Sequence, residues 1–215
     1  MKKDHRRVLS VWSIFAFCLS LALFAQPVLG QDIIAQWKDI KVPPAPELQQ
    51  VVVEPQVTAL LLLDFNKQTC NAERRPRCIA SIPKVKELLT AARAKKMPVV
   101  YSLSAGAVPG DIAADLAPLS GDPIVTSGPD KFLGTELERI LEWRGVTTVI
   151  VTGTAAHGAV LYTASAAALK GFKVIVPVDA MSAENPYAEQ YVAWNMVNAP
   201  RISLQTTLTR SDLVK

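Results

Sequence analysis

The stretch that most constrains the fold is TTVIVTGTAAHGAVLYTASAAALKGFKVIVPVDAM, residues 147–181. Val149, Ile150 and Val151 make an apolar strand, Gly153 opens a turn, and small residues build a helix that Gly171 stops. A second apolar strand follows. Two buried strands joined by a helix form a βαβ crossover, and ligands gather at the carboxyl ends of such strands. Chemistry is therefore expected in the turn between Gly153 and Ala159. The turn holds His157, and alanine stands at the helix start where a nucleophile would be sought.

The same alternation runs through the rest of the chain. Thr58 to Asp64 (TALLLLD) is a continuous apolar run, the mark of a strand buried on both faces. Residues 66–81 read as a polar loop with both downstream cysteines and a solvated basic run, Arg74, Arg75 and Arg77. Pro83 is expected to open a helix whose Val85, Leu88, Leu89 and Ala92 face inward, with a strand from Val99 to Leu103 behind it. Residues 104–130, rich in Gly, Pro and Asp, read as a functional lid or wall. A helix then starts at Gly134-Thr135, Asn185–Asn198 makes another, and residues 200–209 close the sheet. This order predicts an α/β fold, a mainly parallel sheet with helices on both faces.

At 215 residues the chain suffices for one such domain. Its formal charge of +4 comes largely from the start: without Lys2, Lys3, Arg6, Arg7 and Asp4 the balance is +1. No basic patch points to nucleic acid. The basic start, the apolar run from Val8 to Ala25 and the Val28-Leu29-Gly30 site describe a signal peptide over residues 1–30, cleaved after Gly30. The mature protein is then periplasmic or secreted and free of the membrane. An uncleaved anchor is the rival, since the run nears spanning length.

Export leaves Cys70 and Cys78, eight apart, which favours a structural disulfide over a redox or metal pair. It also leaves His157 as the sole histidine, so no metal site built from several histidines, and no metal, is expected. Residues 31–56 read as a proline-broken arm whose Ile33, Ile34, Trp37 and Ile40 pack on the domain or on a neighbouring subunit of a homo-oligomer. The domain proper spans residues 57–215.

Four kinds of group could carry chemistry. Asp64, ending the first strand, is a cap or a general base. Lys131, in SGPDKF, is surface or a positive charge for the site. Backbone N–H groups around Ala155–Ala159, at a helix start, could hold an anion. His157 faces the pocket or bonds within the turn.

These residues carry a resemblance. The strand ending in Asp64, the segment KFLGTEL and the run from Val151 to Ala180, in this order, resemble the isochorismatase-like, or cysteine hydrolase, superfamily over roughly residues 57–210. The resemblance implies a Rossmann-like three-layer α/β/α sandwich with about six strands, no cofactor, and hydrolysis of C–N bonds in small amides or of a vinyl ether. Its Asp-Lys-Cys triad would put the aspartate at Asp64 and the cysteine at Ala159, a degenerate nucleophile position. The family lysine aligns with Thr126, so Lys131 would have to reach the site from elsewhere. Ala156-His157 resembles an alanine-histidine pair of the isochorismatase branch. The resemblance also implies a backbone oxyanion hole at Ala155 and Ala159, with a cis peptide before Ala155. The expected protein is a small-molecule hydrolase working through Asp64 and Lys131 without a cysteine nucleophile. The alternatives are a binding protein that keeps the pocket, or a structural role through the arm.

Overall fold

A computed structural model describes residues 32–215. The leader expected over residues 1–30 and its cleavage site lie outside the described residues. The chain divides at Val42/Pro43 into two units. In the first, a helical turn, Ile33–Gln36, is capped by the Asp32 carboxylate, which accepts from Ala35 N at 2.9 Å. Ile33, Ile34 and Trp37 are exposed.

The second unit is built on a parallel sheet. Its elements are β1 (Thr58–Leu63), α1 (Pro76–Ala94), β2 (Val99–Leu103), β3 (Ile124–Thr126), α2 (Leu137–Trp143), β4 (Thr148–Thr154), α3 (Leu161–Leu169), β5 (Lys173–Pro177), β6 (Met181–Ser182), α4 (Pro186–Asn198) and β7 (Thr206–Thr209). The order across the sheet is β3-β2-β1-β4-β5-β7, and the two-residue β6 pairs with the far end of β4. Residues 43–56 run along this unit: Gln49 N donates to Leu208 O at 2.9 Å and Val53 N to Lys215 O at 2.9 Å.

All six residues of β1 are buried, and its period of two divides them between two cores. Ala59, Leu61 and Leu63 join Val149, Val151, Val174 and Val176 beneath α2, α3 and α4. Leu60 and Leu62 join Val99, Tyr101, Ile150 and Ile175 beneath α1. The result is the three-layer α/β sandwich the alternation predicts, with six main strands and one short addition.

Three local expectations need correction. Residues 104–130, read as a single loop, contain the edge strand β3, too short to show a periodic signature. The first helix starts at Pro76, not Pro83, which lies inside it. Pro76 satisfies the same first-turn preference, and Cys78, wholly buried and bonded to Cys70, anchors the extra turns to the core. Closing so short a loop stabilises by about 2–3 kcal/mol on the chain-entropy account. Gly153, moreover, does not open the turn: β4 continues through it to Thr154.

Candidate active site

Parallel pairing brings the carboxyl ends of β1, β2 and β4 side by side, with Leu63 opposite Ser102 on one flank and Gly153 on the other. Asp64 is the next residue of β1. Its φ of 56° is left-handed, a conformation aspartate tolerates better than most residues, and the chain turns sharply there. Asp64 N still donates to Ser102 O at 3.2 Å, and the Thr69 hydroxyl donates to Asp64 O at 2.5 Å. The main chain of Asp64 is thus fixed at the carboxyl end of the sheet.

Lys131 reaches its carboxylate. The ammonium Nζ lies 2.8 Å from Asp64 Oδ2, and Ser102 Oγ donates to Oδ1 at 2.7 Å. Lys131 is wholly buried, Asp64 is 6 % exposed, and Nζ also donates to Ser127 O at 3.2 Å. The lysine backbone is held from α3: Lys131 N donates to Thr163 Oγ1 at 3.2 Å. Thr163 lies in the first turn of α3, which starts two residues after Ala159. Thr126, at the end of β3, is exposed.

The turn after β4 begins with a cis Thr154–Ala155 peptide and winds as a single wide turn, Ala156–Val160, before α3. Gly158 N and Val160 N both donate to Ala155 O, at 3.0 and 3.3 Å. The N–H groups ahead of them have no preceding turn to accept them. Ala159 is buried and His157 is exposed. Among the described residues, no group of three or more His, Cys, Asp or Glu side chains is placed to hold a metal ion.

The long loop forms a wall here. Asn66, fully buried, donates through Nδ2 to Ser104 Oγ at 3.0 Å and pairs with Ile112, while Gln68 Nε2 donates to Asp111 Oδ2 at 2.5 Å. Lys67 Nζ lies 2.6 Å from Asp111 Oδ1. Hydrogen bonds from Lys67, then Gln68 and Val108 N, hold the Asp111 carboxyl down at about 2, against 3.8 ordinarily. The folded protein therefore holds this proton less tightly than the unfolded chain. The stability this supplies is complete above 3.8 and lost as pH falls through about 2. Denaturant titration should find Asp111→Asn less stable than the wild type at pH 6, with the gap closing by about pH 2. A gap independent of pH would refute the assignment.

Sequence reasoning missed three neighbours of Asp64. Ser102, the one polar residue of the apolar strand VVYSL, was detectable as an exception. Thr69 and Arg75 were not. Arg75, read as solvated, is 6 % exposed: its Nη1 donates to Thr69 O and its Nε to Glu184 Oε1, each at 3.2 Å. Arg74 and Arg77 in the same run are exposed.

A hollow of about 580 Å³ lies elsewhere, at the amino ends of the strands beside Thr58, Thr148, Lys173 and Thr206. It carries no comparable ion pair, whereas the Asp64 edge has a buried one at the end of the sheet where parallel folds bind ligands.

Residues 58–208 match the Isochorismatase domain. The chain belongs to the isochorismatase family. It is 30 % identical over 138 residues to a secreted isochorismatase effector of Verticillium dahliae, covering 59 % of this chain and 73 % of that protein. It is 31 % identical over 143 residues to the N-carbamoylsarcosine amidase of Arthrobacter sp, covering 54 % of this chain but only 53 % of that protein. In fold it is similar to the crystal structure of an isochorismatase family protein from Desulfovibrio vulgaris, with a TM-score of 0.66 and 23 % identity over 73 % of this chain and 95 % of that one.

Proposed function

We propose that the protein is an exported hydrolase of a small molecule in which water attacks the substrate and Asp64 moves the protons. The observation that carries this reading is the buried contact of 2.8 Å between Lys131 Nζ and Asp64 Oδ2 beside the Ala155–Ala159 turn. Ala159 stands where the family resemblance puts a nucleophilic cysteine, and Cys70 and Cys78, being bonded to each other, offer no thiolate. For an amide, a water proton passes to the Asp64 carboxylate as the oxygen bonds to the carbonyl carbon. The charge that develops on the carbonyl oxygen sits among the N–H groups of the turn. Asp64 then returns the proton to the leaving nitrogen as the C–N bond breaks. Lys131 keeps the carboxylate in place for both transfers. Such a sequence takes a proton before giving one, which suits an amide better than the initial protonation of an enol ether.

Export is supported by the leader pattern of residues 1–30, by the disulfide, and by the secreted relative. A second reading, a binding protein that has kept the pocket, is favoured by Ala159 itself. One experiment separates them. On a panel of small amides, esters and enol ethers, the wild type should turn over at least one member, and Asp64→Asn should lower that rate about 100-fold or more. Equal rates in the two proteins would sink the mechanism. Ligand binding with no turnover on any member would leave the binding reading.

A further inference from the structure

The hollow at the amino ends of the strands has a polar floor laid down by register. Thr58 of β1 stands opposite Thr148 of β4, and Thr148 opposite Lys173 of β5. Paired residues of neighbouring strands share a face, so these three side chains form one row, with about 4.8 Å between strands. Residues 51–57 make the facing wall, and hydrogen bonds fasten it at both ends. Val51 N donates to Leu213 O at 3.0 Å and Val53 N to Lys215 O at 2.9 Å. Val57 O accepts from Thr147 N at 2.8 Å and from Thr148 N at 3.0 Å. The space of about 580 Å³ between floor and wall is therefore preformed.

The lining leaves its own groups unmatched. Thr58 is 1 % exposed, yet its Oγ1 has no hydrogen-bond partner, a state that few buried hydroxyls keep. Lys173 and Glu54 both line the hollow and both are exposed, but neither pairs with the other or with any other described residue. Val52 and Leu204 bring apolar surface to the same lining and are 80 % and 82 % exposed. One free cation, one free anion and uncovered hydrocarbon thus surround a single space.

We propose that this hollow is a second binding site, for a small aliphatic amino acid held as its zwitterion. The carboxylate meets Lys173, the ammonium meets Glu54, and the hydrocarbon covers Val52 and Leu204. A simple anion would gain Lys173 but be opposed by Glu54, and a simple cation the reverse, so only a molecule with both charges matches the lining. An acceptor entering the hollow also supplies what Thr58 lacks. The site is independent of the hydrolase reading, since the six residues of β1 set Thr58 roughly 20 Å from Asp64 at about 3.3 Å per residue.

L-Leucine, isocaproate and isoamylamine make the test, because they share a branched hydrocarbon and carry both charges, the carboxylate alone and the ammonium alone. By titration calorimetry on the full chain at low ionic strength, leucine should bind about fivefold tighter than either of the others. Glu54→Gln should bring leucine and isocaproate within about twofold while leucine still exceeds isoamylamine. Lys173→Gln should do the converse. Both side chains are exposed, so both variants should fold, which circular dichroism checks. Asp64→Asn should bind leucine as the wild type does. Failure of the wild type to bind leucine, or equal binding of all three compounds, overturns the proposal. So does a preference that survives in both charge variants, or leucine binding that is lost in Asp64→Asn, which would put the amino acid at the other end of the sheet.

Discussion

Lys131→Met is expected to cost about 3–5 kcal/mol of stability, the usual result of stripping one partner from a buried ion pair. Methionine keeps an unbranched stem of similar length, so little packing is lost. What remains is a carboxylate 6 % exposed with Ser102 Oγ at 2.7 Å as its charge-neutral partner. The desolvation already spent on Asp64 is then no longer offset. Guanidinium unfolding of four proteins measures this: wild type, Lys131→Met, Asp64→Asn and the double variant. Because the two side chains touch, their effects should not add. Asp64→Asn/Lys131→Met should recover most of what Lys131→Met loses, since an amide can stay buried without a counter-charge. Turnover should fall in both single variants and stay low in the double one. A Lys131→Met protein as stable and as active as the wild type would show that the pair holds neither the fold nor the chemistry.

The same pair shows where the sequence was legible. β1, β2, β4 and β5 were, because parallel strands buried on both faces must be written as apolar runs, as TALLLL of β1 is; β3 and β6, three and two residues long, were too short to leave such a run. So was the amphipathic half of α1, where Val85, Leu88, Leu89 and Ala92 repeat at helical spacing and are all buried. The first turns of α1 were not, since their place in the core depends on the bond between Cys78 and Cys70 rather than on a periodic face. Lys131 is the harder case. A lysine in SGPDKF looks the same whether it meets solvent or a carboxylate 67 residues away, and only the tertiary fold decides. Arg74, Arg75 and Arg77 make the point again: one residue type within four positions, two of them exposed and only Arg75 turned inward against Thr69. Local pattern records which face of an element is apolar. It does not record which polar side chain is drawn across a sheet edge by a partner on another element.

Gly153→Ala should do more damage per atom added than any other substitution at the site. In the sequence Gly153 looked like the residue that bends the chain; in the fold it is a strand residue, in register with Leu63, at φ 146°. A Cβ built there would lie 2.5 Å from Leu63 O and 2.6 Å from Leu63 Cβ, and the first of these is backbone of the central strand. No rotamer change can relieve that contact, so β1 and β4 must part. The cost combines overpacking with a backbone conformation that side chains avoid, about 2–5 kcal/mol in all. The opening falls one residue before Asp64 on one strand and one residue before the Thr154–Ala155 turn on the other. Activity should therefore drop by more than the unfolded fraction explains, because a shift of about 1 Å between a proton-transfer group and the charge-holding turn is itself costly. Gly158→Ala is the matched control within the same turn: its Cβ would meet only Ala155 Cβ, at 3.8 Å, an ordinary contact. Chemical denaturation and turnover measured on both variants decide the matter. Gly153→Ala with wild-type stability and rate would mean that the close approach of β1 and β4 is not what sets the distance between Asp64 and the turn.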